Sequence, residues 1–258
     1  MAKSGDPKKR ETVTAALIII GDEILSGRTK DENIGYVADY MTEIGIQLRE
    51  VRIVGDDESH IVEAVNAMRG SYTYVFTTGG IGPTHDDITA DSVAKAFGVG
   101  IDIDERAVAH MRERYSTDKL TPARLRMARI PHGADLVSNS VSLTPGFMIE
   151  NVIVMAGVPR IMQVMLDAVA PRLRTGAKML TRTIRVEAPE GDVATGLGRV
   201  QAEFTDVAMG SYPYFEKGRL GTNLVLRSTD EDLLGQAFDA TLAMLESEGI
   251  SNFQPVEA

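Results

Sequence analysis

The sequence predicts an α/β protein: a three-layer α-β-α unit with a mostly parallel sheet, followed by a small α+β domain. Three observations carry this expectation. Strand and helix patterns alternate through the first half of the chain, the rhythm of a parallel sheet covered on both faces. The pattern changes after Pro171 to a β-α-β-β-α order, which suits a two-layer domain with a mixed or antiparallel sheet. The length, 258 residues, accommodates one standard domain plus a small one.

In order along the chain, Val13–Ile20 reads as a buried strand, Asn33–Ile44 as an amphipathic helix and Gln47–Val54 as an alternating strand. Ser59–Arg69 follows as a helix capped by Asp57 or Ser59, then a strand at Tyr74–Thr77 and a helix at Thr89–Phe97. Asp104–Arg114 and Pro122–Arg129 read as helices, Asn151–Met155 as a strand and Arg160–Val169 as a helix. The small domain is expected from Arg182–Glu187, Asp192–Glu203, Val207–Tyr214, Asn223–Ser228 and Glu231–Glu248. The expected boundaries are a flexible arm at 1–11, the large domain at 12–175 and the small one at 176–258.

Composition narrows the function. A formal charge of −10 argues against general nucleic-acid binding, which relies on neutralising phosphates with Lys and Arg, but leaves room for a small phosphorylated ligand. The absence of cysteine removes disulfides, thiolate metal sites and cysteine nucleophiles, and fits a cytoplasmic location. No apolar stretch approaches the ~20 residues of a membrane span.

The most informative segment is Thr78-Gly79-Gly80-Ile81-Gly82-Pro83-Thr84-His85-Asp86-Asp87. A strand end, a three-glycine turn and a helix start build a nest of backbone N–H groups suited to phosphate. The adjacent carboxylates Asp86 and Asp87 would repel phosphate unless a cation bridges them, which points to a metal–phosphate site. The competing reading is a packing turn in which Asp87 caps the next helix. The run lacks the Lys-Ser/Thr of a P-loop and the spacing of G-x-G-x-x-G. Two further loops leave strand ends: Gly21–Gly27, with Asp22 and Glu23, and Ala156-Gly157-Val158-Pro159. In parallel sheets such loops converge at the carboxyl rim where ligands bind, although Asp22 and Glu23 also read as solvated turn charges. Among Arg124, Arg126 and Arg129, Arg126 is held as a candidate for reaching a pyrophosphate. Of the four histidines only His85 lies in a candidate site. The aromatic segment Gly210–Phe215 is expected as a strand end packed on helices.

Ile20–Gly27, Asp31-Glu32-Asn33, Thr78–Asp87, Asn139 with Thr144-Pro145-Gly146-Phe147, and Gly157-Val158-Pro159 together resemble the molybdopterin-binding (MoaB/Mog-like) domain family, and within it the CinA-type branch. The resemblance covers roughly Val13 to Val169. The small domain is similar to the region that follows this domain in eukaryotic FAD synthases. The resemblance implies a stand-alone form without deamidase or adenylyltransferase domain, self-associating as a dimer or trimer. It implies a divalent metal (Mg, Mn or Co) held by Asp22, Glu23, Asp86 and Asp87, with Asp87, Asp86 and Asp22 catalytic. Ligand-binding positions are carried over to Asn33, Gly79, Gly80, Gly82, Pro83, Thr84, Gly157 and Pro159. One departure is Ala156, where the family turn usually begins with Pro. The activity implied is metal-dependent pyrophosphatase action on ADP-ribose- or FAD-like nucleotides. The alternatives are molybdopterin binding with adenylyl transfer in molybdenum cofactor biosynthesis, and a non-catalytic ligand-binding protein. In each the partner is a nucleotide or pterin phosphate.

Overall fold

Val13–Ile20 (β1) is apolar on both of its faces and lies at the heart of the larger unit's sheet. The structure is a computed structural model and describes residues 12–216 and 218–256; the arm expected over 1–11 lies outside the described residues. A single helical turn, Asp22–Leu25 (α1), follows β1, then Asn33–Glu43 (α2), Ile46–Val54 (β2), Glu58–Arg69 (α3), Tyr74–Thr78 (β3) and Thr89–Phe97 (α4). The chain continues through Ile101–Ile103 (β4), Glu105–Arg112 (α5), Pro122–Arg126 (α6), Arg129–Pro131 (β5), Asp135–Val137 (β6), Gly146–Ile149 (β7), Val152–Met155 (β8) and Pro159–Val169 (α7).

The six-stranded sheet has the order β2-β1-β3-β8-β7-β6. β2, β1, β3 and β8 are mutually parallel, and β7 runs against its neighbours. Because side chains alternate across a strand, β1 serves two cores. Ala16, Ile18 and Ile20 join Ile61 and Met68 of α3, Val93 of α4 and Met111 of α5. Ala15, Leu17 and Ile19 join Val37 and Met41 of α2 and Met162 and Leu166 of α7. This is the three-layer arrangement expected. The order reverses at β1, since β2 lies on one side and β3 on the other, so the crevice between the β1 and β3 ends is the topological switch point where ligands bind in such sheets.

The chain divides into two compact units after Gly176. The second contains Leu180–Val186 (β9), Glu190–Glu203 (α8), Ala208–Glu216 (β10), Arg219–Ser228 (β11), Glu231–Ser247 (α9) and Phe253–Val256 (β12). Its sheet, β10-β11-β9-β12, is antiparallel throughout and packs Ile184, Val186, Leu224 and Leu226 against Val193 and Leu197 of α8 and Ala237 and Leu245 of α9.

Several expectations are corrected. The helix expected over Pro122–Arg129 stops at Arg126, because Arg129 enters β5 and pairs with Ile103. The segments β6, β7 and β12, of three or four residues each, complete their sheets without a sequence pattern of their own. The strand read as Asn223–Ser228 begins earlier, at Arg219, where a hairpin partner for β10 is needed. The aromatics of Gly210–Phe215 are not packed under helices: Tyr212 and Phe215 are 50% and 69% exposed on β10, an edge strand. Among the described residues no helix is long and apolar enough to cross a membrane.

The alternation in β11 yields a test. Leu226→Ala empties a fully buried position and is expected to cost about 2–5 kcal/mol, whereas Arg227→Ala, one residue on and exposed, should stay within about 0.5 kcal/mol. Chemical denaturation of both variants checks this; equal losses would contradict the assigned register.

Candidate active site at the carboxyl rim

Four parallel strands end at one rim, and each end feeds a loop: Gly21 after β1, Gly55 after β2, Gly79 after β3 and Ala156 after β8. The loop after β6, containing Asn139, arrives at the same rim, because β6 runs parallel to β8. Gly79 is the pivot. Its φ is +105°, and a Cβ there would sit 2.1 Å from the Ile20 carbonyl oxygen, so only glycine lets the β3 loop cross the end of β1. Gly80 follows with φ +65° and lies over the Thr89 hydroxyl. Thr89 Oγ1 donates to the Gly79 carbonyl (2.9 Å) and Thr89 N–H to the Gly80 carbonyl (3.0 Å), so α4 clamps the turn from below. The wall opposite closes on it directly: a Cβ on Gly157 would come within 3.2 Å of Gly79 Cα.

A cavity of about 500 Å³ opens here. Of the sequence-predicted site residues, Glu23, Gly79, Gly80, Gly82, Asp87, Gly157 and Pro159 line it, while Asp22, Asn33, Pro83, Thr84 and Asp86 do not. Asn33, buried at the start of α2, donates from Nδ2 to the Gly157 carbonyl (2.8 Å) and so supports the wall. Ala156, the departure from the family turn, donates its extra N–H toward Met165 Sδ at 3.4 Å, which ties the loop back to α7. The sequence reading passed over Tyr115, Met127 and Ile161, which form an apolar wall with Ile81 and Val158. Asn139 lines the cavity too and pins its own loop, donating to the Thr144 carbonyl (2.9 Å) and accepting from Val141 and Ser142 N–H.

The Asp86–Asp87 pair is organised by Thr84. Asp87 Oδ2 accepts from Thr84 N–H (2.8 Å), and Thr84 Oγ1 lies 2.5 Å from both Asp87 Oδ2 and Asp86 Oδ1. Asp87 therefore does not cap α4, whose N-cap is Ile88 without a side-chain bond. The Thr84 hydroxyl holds the Asp86 carboxyl below its usual range. His85 is 99% exposed on the side chain and belongs to the loop surface.

Asp56, at the end of β2, is an acidic group the sequence reading missed, although the strand-end rule that selected the other loops also points to it. Its Oδ2 accepts from Asp22 N–H at 2.9 Å. Burial pushes the Asp56 carboxyl up, and the negative charges of Asp22, Glu23 and Asp86 push the same way against that N–H bond. Acidic groups from three strand ends thus gather at the rim. Among the described residues, however, no three His, Asp or Glu side chains are arranged as a set of metal ligands.

A raised folded-state pKa means that ionised Asp56 costs stability at neutral pH, and that the cost vanishes as the pH falls to the unfolded value, about 4. Asp56→Asn in chelator-containing buffer should therefore melt higher than the native protein at neutral pH, with the gain fading toward about pH 4. A lower melting temperature at neutral pH would contradict this electrostatic account.

Comparison with known proteins agrees with the two-unit architecture. A family model described as probable molybdopterin binding domain matches residues 16–175, and one described as FAD synthase, middle domain, matches residues 178–254. A probable FAD synthase of Caenorhabditis elegans is 28% identical over 261 residues, covering 88% of this chain and 49% of that protein, so the chain spans about half that relative's length. Protein Ta0487 of Thermoplasma acidophilum is 32% identical over 205 residues, covering 77% of this chain and 80% of its own. A crystal structure of the protein CinA, of unknown function, from Thermoplasma acidophilum superposes with a TM-score of 0.59 at 35% identity, over 62% of this chain and 98% of that one. With the glycine turn at the switch point and more than half of its length matched, the chain belongs to the probable molybdopterin-binding domain family, in its CinA-like form, and carries an FAD synthase middle domain after it.

Proposed function

We propose that the rim cavity binds a nucleotide carrying a phosphoanhydride, of the ADP-ribose or FAD kind, and hydrolyses it with a divalent metal ion. One observation carries this reading: the same cavity joins the Gly79–Gly82 turn, Glu23 and Asp87 to an apolar wall of Tyr115, Met127, Val158 and Ile161. A phosphate chain suits the first half and a planar ring the second. The C. elegans relative is named a probable FAD synthase, which supports a dinucleotide of that class as ligand.

The donor set suits a metal shared with the ligand. Magnesium is commonly held by one or two carboxylates together with substrate phosphates and water, not by a full protein cage. Glu23 and Asp87 in the cavity, with Asp22 and Asp86 behind them on the rim, provide carboxylates of that kind. When bound, such an ion neutralises charge on the phosphoanhydride and polarises the scissile group. The chain's own residues do the rest. Backbone N–H groups of the glycine turn receive phosphate oxygens, and Asp87 orients an attacking water or takes its proton. Gly157 and Pro159 close the wall, and Tyr115 and Met127 exclude water from the ring.

The second reading is molybdopterin binding with adenylyl transfer, favoured by the description of the matching family model. A pterin phosphate has the same two-part chemistry, so turnover decides. The test is cleavage of ADP-ribose and FAD, and AMP transfer from ATP to molybdopterin, each with magnesium, manganese or cobalt. Dinucleotide cleavage to two monophosphates is expected, and Asp87→Asn should slow it by about 10²-fold or more. Unchanged turnover in that variant would remove Asp87 from the mechanism. AMP transfer without hydrolysis would replace the first reading with the second, and a panel without turnover would leave a ligand-binding protein. Tyr115→Ala is expected to raise KM for the dinucleotide about tenfold with little change in kcat; a changed kcat alone would contradict a ring-binding wall.

A further inference from the structure

The cavity is lined by two acidic side chains, Glu23 and Asp87, and by no lysine or arginine among the described residues. Asp22, Asp56 and Asp86 add negative charge at the rim. A phosphate entering such a site meets repulsion that backbone N–H groups offset only in part.

Arg126, the last residue of α6, lies on the far side of the same turn. A second, much smaller cavity of about 20 Å³ is lined by Gly80, Ile81, Gly82, Asp87, Arg126 and the Asp91–Arg129 ion pair, so the turn and Asp87 are a wall shared between it and the large cavity. Arg126 Nη2 donates to the Asp87 main-chain carbonyl at 3.3 Å, a long contact. Its Nε is buried and has no hydrogen-bond partner. The arginines around it are spoken for: Arg129 is paired with Asp91 at 2.7 Å, and Arg124 lies 4.6 Å over the Tyr115 ring and donates to the Lys119 carbonyl. No carboxylate among the described residues pairs with Arg126. Arg126 is half-buried, and its buried Nε–H, left without a partner, is costly unless something completes it.

We propose that Arg126 is the counter-charge of the phosphate site: held behind the glycine turn by the Asp87 carbonyl, its unpaired guanidinium offsets the acidic rim and lets the turn accept a phosphorylated ligand. The small cavity between Nε and the turn has room for about one water. Arg126 acts through the turn and the field it sets there, so it is a positioning residue and not a catalytic one. The inference rests on the proposed reading of the cavity as a phosphate site.

The test is calorimetric titration of the whole protein with inorganic pyrophosphate and magnesium, at low and high salt. Arg126→Met is expected to weaken binding about tenfold and to flatten its salt dependence, since a charge has gone. Arg126→Lys restores the charge without the fork geometry and should recover most of the affinity, which a purely structural role for Arg126 would not allow. Arg112→Met removes an equal charge from an exposed ion pair with Glu105 and should leave the affinity within about twofold. If Arg126→Met lowers the melting temperature too far to titrate, the Lys variant carries the comparison, and native-like affinity with a native-like salt slope supports the assignment. Equal affinity in the native protein and Arg126→Met overturns the role of Arg126 while leaving the phosphate site standing. Loss of affinity that Arg126→Lys does not recover also overturns it, in favour of a structural role. Failure of the native protein to bind pyrophosphate at all overturns the phosphate reading and this inference with it.

Discussion

Gly79 crosses the end of β1 so closely that a Cβ would meet the Ile20 carbonyl oxygen at 2.1 Å, and much of the rim depends on that approach. The positive φ turns the chain out of β3 at the switch point, and Gly80 and Gly82 after it line the cavity there. Thr89 fixes the turn from the α4 side, and Gly157 closes on it from the β8 side. The large parallel sheet supplies rigidity, because β1 is fully covered by a core on each face and its end cannot shift without disturbing both. A loop that must present amides and carboxylates to a small ligand is thereby braced against the end of a strand buried on both faces.

The electrostatics of the rim follow from that mounting. Parallel strands bring their carboxyl ends together, so acidic residues distant in sequence become neighbours: Asp22 after β1, Asp56 after β2 and Asp86 after β3. Burial first, and their mutual repulsion after it, push the Asp56 carboxyl up, while the hydrogen bond from Thr84 holds Asp86 down. Such a concentration of like charge costs stability in the empty protein, and it favours a ligand that brings a cation with its phosphates.

The order of β-α units in the larger unit was legible because long apolar strands and amphipathic helices carry strong periodicities, as in Val13–Ile20 and Glu58–Arg69. The glycine turn was legible because clustered glycines mark a backbone that needs positive φ or close approach, as Gly79 and Gly80 have. The remainder was hidden for physical reasons. β6, β7 and β12 are too short to show a period; β12 is created by β9, distant in sequence, and β6 and β7 by pairing next to β8. Tyr115 and Met127 come to the cavity from a segment with no motif, through packing that no local pattern encodes. Asp56 was open to the strand-end argument, but only pairing of β2 with β1 brings it beside Asp22. The exposed Tyr212 and Phe215 show the opposite failure, since aromatic residues on an edge strand need not be core.

The most direct test of the account is a crystal structure with a non-hydrolysable dinucleotide, ADP-ribose with a methylene bridge between its phosphorus atoms, and magnesium. The account predicts phosphonate oxygens on the N–H groups of Gly80–Gly82, since Gly79 N–H is bonded to the Met155 carbonyl, an ion between them and Asp87 or Glu23, and a ring against Tyr115 and Met127. A ligand bound elsewhere, or one whose phosphates turn away from the glycine turn, would contradict it.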